Sequence, residues 1–211
     1  MAENNMRNPY FKTPPVVQNL IIANCVIYLA VTLIPAVNHF CAEYLQLWWS
    51  NAAYTPPFHS YQFVTYMFLH GGFAHLFSNM FALWMFGRTL EYELGSQRFL
   101  TYYMVCGIGA ALIQIGIATL FGENITLLGA SGAVMGLLLA FGVMHPNNMI
   151  YIIPLPFPIK AKWFVMGYAV LEIALGWSGV NTGVAHFAHV GGMLWGLALL
   201  YWWRKRGKIF F

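Results

Sequence analysis

The sequence predicts an all-α, polytopic membrane protein built as a bundle of six transmembrane helices, with both termini cytoplasmic. Three observations carry this. Sixty per cent of the 211 residues are hydrophobic and only 8% are charged, where a soluble domain carries roughly 25% charged residues. The apolar residues gather into stretches of the order of the ~20 residues that a bilayer demands. With six such spans, all ten lysines and arginines fall on one face, and a miscount by one helix would scatter them to both. By the positive-inside rule that face is cytoplasmic.

Taken in order, residues 1–15 are polar and proline-containing and read as a cytoplasmic segment. The apolar run that follows lacks a small-residue cleavage site, so it reads as a retained helix rather than a leader. The spans are placed at 16–37, 73–90, 99–120, 131–145, 161–177 and 184–203. Residues 16–203 form one domain, and 204–211 form a basic cytoplasmic tail. Arg7 and Lys12 precede the first span, Arg88 and Arg98 bracket the turn between the second and third, and Lys160 and Lys162 separate the fourth from the fifth. Arg204, Lys205, Arg206 and Lys208 follow the sixth. The net charge of +4 therefore records membrane orientation and gives no reason to expect nucleic acid as a partner. Cys25, Cys41 and Cys106 are odd in number and show neither a disulfide framework nor metal-ligand spacing; no metal and no cofactor are expected.

Between the first two spans, residues 38–62 lie outside and hold Trp48, Trp49, Tyr54, Phe58 and Tyr61 with Pro56-Pro57. Aromatic residues favour the headgroup level, so the loop is expected on or in the outer leaflet. Pro154, Pro156 and Pro158 make the connector before the fifth span non-helical. The fourth span is short: about 15 residues give roughly 23 Å of helix against a core of about 30 Å. If Ser131 starts below the outer surface, the preceding loop, 121–130, dips into the membrane. Irregular backbone at that depth is tolerated where protein buries it or water fills a cavity.

Polar groups inside a bilayer are expensive and usually functional. Ser131 lies in Gly129-Ala130-Ser131-Gly132 at the start of the fourth span, and His189 lies in Ala188-His189-Val190-Gly191-Gly192 near the start of the sixth. A hydroxyl nucleophile and an imidazole base are the minimum parts of covalent acyl transfer. Gly129 and Gly132 permit a tight turn and close approach, and the unpaired amides of a new helix suit a developing oxyanion. Gly132 and Gly136 on one span, and Gly192 and Gly196 on the other, form stripes that let two backbones pack closely. If the fourth and sixth spans meet along them, His189 comes within reach of Ser131. His75 and Asn79 stand one turn apart on the second span, and both can donate towards negative charge.

These residues resemble a known family. His70-Gly71-Gly72-Phe73-Ala74-His75-Leu76-Phe77-Ser78-Asn79, then residues 91–95, Gly129-Ala130-Ser131-Gly132, and Ala185-His186-Phe187-Ala188-His189-Val190-Gly191-Gly192 resemble the rhomboid intramembrane serine proteases across the whole six-helix core. The resemblance implies a Ser–His dyad without a carboxylate. Ser131 would be the nucleophile and His189 the general base and acid, with His75, Asn79 and the Ser131 amide as oxyanion hole. Substrates would be membrane-spanning proteins, cut near the outer end of their helix and entering from lipid through the seam between the second and fifth helices. His70 would be a shell on the oxyanion side, and His186 would lie one turn before His189, nearer the water. Two positions depart from the family pattern. Trp48-Trp49 is followed by Ser50 where many members carry a Trp-Arg pair, and Met135 stands where some place a tyrosine beneath the imidazole; a thioether can pack there instead.

A transporter would favour symmetric halves with discontinuous helices, and the halves of this chain do not mirror each other. A catalytically dead relative that binds membrane proteins would lack Ser131 or His189, and both are present. Glu172 is the only acid placed inside a span. The resemblance implies a dyad, so Glu172 is expected to face the second helix or the cavity rather than His189. The cellular expectation is a multi-pass protein of a bacterial inner membrane.

Overall fold

Proline sets both ends of the first helix. Helix α1 (Pro15–Leu33) starts with proline at its first position, where the missing amide is no loss. It stops at Ile34, held extended at φ −120°, ψ 103°, because the residue before Pro35 is pushed out of the helical region. The span anticipated to residue 37 is therefore interrupted, and a short α2 (Pro35–Phe40) with a π turn, Cys41–Leu45, follows. Ile22, Val26, Leu29 and Leu33 form an exposed apolar stripe on α1, spaced as one helix face. The computed structural model describes residues 12–50, 52, 55–151, 157–179 and 183–209. Arg7, Tyr54, Pro154, Pro156 and the last two residues of the basic tail lie outside the described residues.

Next come β1 (Leu47–Trp49), α3 (Gln62–Thr65) with a 3-10 turn, and α4 (Phe73–Ala82). Helix α4 continues through a π turn into α5 (Arg88–Leu94), so the second anticipated span persists four residues beyond its expected end. Gly95, at φ +78°, turns the chain into α6 (Ser96–Phe121). After β2 (Ile125–Leu127) come α7 (Ser131–Met144), β3 (Met149–Ile150), β4 (Ile159–Lys160), α8 (Ala161–Trp177) and α9 (His186–Lys205). The fold is mostly helical, at 73%. Helices α1 and α6 are each long and apolar enough to cross a membrane by length and composition.

The all-helical expectation takes one correction, because two short antiparallel ribbons are present. One pairs Leu47 with Leu127 and Trp49 with Ile125; the other pairs Met149 with Lys160 and Ile150 with Ile159. The first joins the aromatic loop to the segment before Ser131. That loop is folded: Trp48 donates its indole N–H to the Ala42 carbonyl at 2.7 Å and Trp49 donates to Thr119 Oγ1 at 2.9 Å. Gln62, fully buried, accepts from the His59 amide at 3.2 Å and donates to the Tyr44 carbonyl at 3.2 Å.

Helix α6 is the central post, with α7 and α9 packed against it and each other. Its small residues make room: a side chain at Gly109 would meet the Trp195 ring of α9. Tyr102 and Tyr66, both buried, donate to the Gly136 and Gly107 carbonyls at 2.9 and 2.7 Å. Glu91, 2% exposed, clasps α1 by accepting from the Val16 and Val17 amides at 3.0 and 2.8 Å.

Candidate active site

The residues that lead into α7 are built around Gly129, whose φ of +114° suits only glycine without strain. Its amide donates to the Tyr66 carbonyl at 2.9 Å, which fixes the loop to the segment before α4. A side chain on Gly129 would come within 2.6 Å of His75 Nε2, so the imidazole lies directly over this turn. Two residues later Ser131, half-buried, opens α7. The first-turn amides of a helix have no partner within it, and together with the helix dipole they make this end favourable for negative charge.

The α7–α9 contact is made along glycines, as expected for Gly132, Gly136 and Gly192. A Cβ at Gly192 would run into the backbone of Gly132, and one at Gly136 would sit 3.2 Å from the Gly192 carbonyl oxygen. Gly196 departs from the expectation, because it faces Tyr102 and Cys106 of α6. This approach brings His189 Nε2 to 2.8 Å from Ser131 Oγ. His189 is 7% exposed. Its helix is held at the start by Gln114 of α6, whose side-chain oxygen accepts from the Ala188 amide at 2.9 Å.

His75 and Asn79 lie on α4 as read from the sequence. Asn79, 4% exposed, donates to the His75 carbonyl one turn back at 2.9 Å. His70 is buried edge-on against His75, with ring centroids 5.0 Å apart. Met135, half-buried, lies one turn after Ser131 on α7.

His186, anticipated nearer the water than His189, is 8% exposed against 7%. One expectation is overturned. Glu172, anticipated towards the second helix or the cavity, faces α9. It is 3% exposed, with Oε2 2.6 Å from His186 Nδ1 and Oε1 3.0 Å from His189 Nδ1. The reason is local. His186 and His189 are three apart on one helix face, and Gly176 lets the Phe187 ring pack against α8, where a Cβ would lie 2.9 Å from it. That contact draws the outer half of α8 onto α9, and a carboxylate buried there requires partners.

The family model described as Rhomboid domain matches residues 57–206. The chain belongs to the rhomboid family. Among curated relatives, Rhomboid protein 1, mitochondrial, of Saccharomyces cerevisiae is 32% identical over 199 residues, covering 92% of this chain and 55% of that protein. Presenilin-associated rhomboid-like protein A, mitochondrial, of Danio rerio is 30% identical over 195 residues, 88% of this chain and 49% of that protein. RHOMBOID-like protein 6, mitochondrial, of Arabidopsis thaliana is 33% identical over 141 residues, 66% of this chain and 42% of that protein. The rhomboid chain thus spans about half the length of the curated relatives it matches. Rhomboids are integral membrane proteins and generally intramembrane proteases.

Three residues that bear on this rhomboid's site were not singled out by sequence reading: Gln114, Tyr66 and Gln62. Each is polar or amphipathic and buried. For Gln114 a signal existed, a lone amide in an otherwise apolar stretch of α6, where an unpaired polar group is costly.

Proposed function

We propose that this rhomboid is an intramembrane serine endopeptidase that cleaves transmembrane protein substrates near the outer end of their helix. The observation that carries the reading is the 2.8 Å contact between His189 Nε2 and Ser131 Oγ at the start of a helix. Ser131 attacks the scissile carbonyl while His189 takes its proton. His75, Asn79 and the Ser131 amide hold the oxyanion; Asn79 Nδ2 carries two hydrogens, so it can keep its bond to the His75 carbonyl and give the other to substrate. His189 then protonates the leaving amine, the acyl-enzyme forms on Ser131, and water attacks it with His189 again as base. Met135 packs beneath the catalytic pair, and His70 supports His75 from behind.

The proposed setting is a multi-pass protein of a bacterial inner membrane, with six spans, both termini cytoplasmic, and substrate entering from lipid between α4 and α8. The one-sided distribution of lysine and arginine supports the orientation. The mitochondrial names of the relatives describe those proteins. Helix α7, at 14 residues, is roughly 21 Å long, and this supports a nucleophile set below the membrane surface. The deciding experiment co-expresses a single-span substrate with the wild-type chain or with Ser131→Ala. A cleaved fragment that depends on Ser131 is expected; equal cleavage by the variant overturns the serine mechanism.

A further inference from the structure

Glu172 closes a line of four groups. Ser131 Oγ is 2.8 Å from His189 Nε2, His189 Nδ1 is 3.0 Å from Glu172 Oε1, and Glu172 Oε2 is 2.6 Å from His186 Nδ1. Tyr168 lies one turn earlier on α8, on the same helix face as Glu172. For Nε2 to accept the serine proton, the ring must carry its own proton on Nδ1, and which nitrogen is protonated is set by what the other one meets. At Nδ1 the group met is a carboxylate. The 3.0 Å contact lies off the N–H axis of an aligned hydrogen bond, so in the resting site it is a close contact that a small ring rotation would turn into a hydrogen bond.

A triad acid has to be rigidly held, and a helix that opens for substrate is a poor place for one. Here the carboxylate is clasped by two imidazoles of a single helix, and the Phe187–Gly176 packing lies one turn beyond. Glu172 is thus fixed to α9 rather than carried freely on α8. Resting on the serine-protease reading above, we infer that Glu172 is a positioning residue for His189: it selects the Nδ1–H tautomer and stabilises the imidazolium formed during acyl transfer, with His186 anchoring its second oxygen.

The test uses the full chain in detergent, a single-span fluorogenic substrate, and Glu172→Gln and Glu172→Asp. Glu172→Gln keeps shape and removes the charge. Its kcat should fall by about 10²-fold or more, in the direction seen when the carboxylate of a triad is neutralised, with KM within about twofold. Fluorophosphonate labelling of Ser131 should slow in parallel, and Glu172→Asp should recover part of both. A kcat within threefold of wild type, or a loss confined to KM, overturns the inference; if Ser131→Ala is inactive in the same assay, the protease reading stands without it. Should Glu172→Gln lose its cooperative melt, nitrogen-15 histidine spectra of the wild-type protein decide. A protonated Nδ1 signal that disappears in His189→Ala supports the role, and an unprotonated His189 Nδ1 overturns it.

Discussion

Ser131 is set apart from an ordinary serine by three neighbours: a glycine turn before it, the amides of a new helix, and an imidazole nitrogen at 2.8 Å. Ser131→Ala and His189→Ala should each reduce cleavage to background while the protein still melts cooperatively, and a fluorophosphonate should label Ser131 alone, since an unactivated hydroxyl is a poor nucleophile. His75→Ala and Asn79→Ala belong to the transition state. Each should lower kcat by about 10²–10³-fold, equivalent to roughly 2.7–4 kcal/mol per oxyanion donor, with little change in KM. A rise in KM at constant kcat would reassign them to substrate binding. The placing of Ser131 and His189 was legible in the sequence because each polar group stands in an apolar run beside glycines, and that of His75 and Asn79 because they stand one helical turn apart in an apolar run. The partner of Glu172 was not, because helical spacing gives the face a side chain occupies on its own helix and leaves open which neighbour that face meets.

At the scale of elements, α7 and α9 touch backbone to backbone. The obstacle to a side chain at Gly192 is the main chain of Gly132, which has no rotamer to offer. Gly192→Ala should therefore cost at least the ~1–3 kcal/mol usual for overpacking and should separate His189 from Ser131. Its melting temperature and its fluorophosphonate labelling rate should fall together; a variant as stable and reactive as wild type would show that the helices can slide apart without penalty. Helix positions were readable from apolar runs bounded by proline, glycine and basic residues, and α8 spans 161–177 as anticipated. The ribbons were not readable. Strands of two or three residues are too short to display alternation, and their pairing partners are distant in sequence.

For the whole molecule, the distribution of charge predicts that the N- and C-termini share one side of the membrane and that the 38–62 loop lies on the other with Ser131. Reporter fusions at both ends, and cysteine labelling in the loop, should give opposite answers. A loop labelled from the same side as the termini would require an even number of crossings between it and each of them, and would overturn the six-span topology. The ribbon between β1 and β2 ties that loop to the segment that follows α6. Depth and side are expectations drawn from length and charge; the clasp of Glu91 on α1 was not legible, because its partners are backbone amides, which every sequence has.

That clasp also has a consequence for synthesis. The amides of Val16 and Val17 leave the ribosome 75 and 74 residues before the carboxylate that caps them, a delay of about 4–15 s at 5–20 residues per second. During that interval α1 can enter the membrane but cannot take its final seat. Its docking is timed by the arrival of α5, so α1 is made before α5 but not fixed before it, and a pause in translation before residue 91 would hold the nascent chain with α1 still undocked.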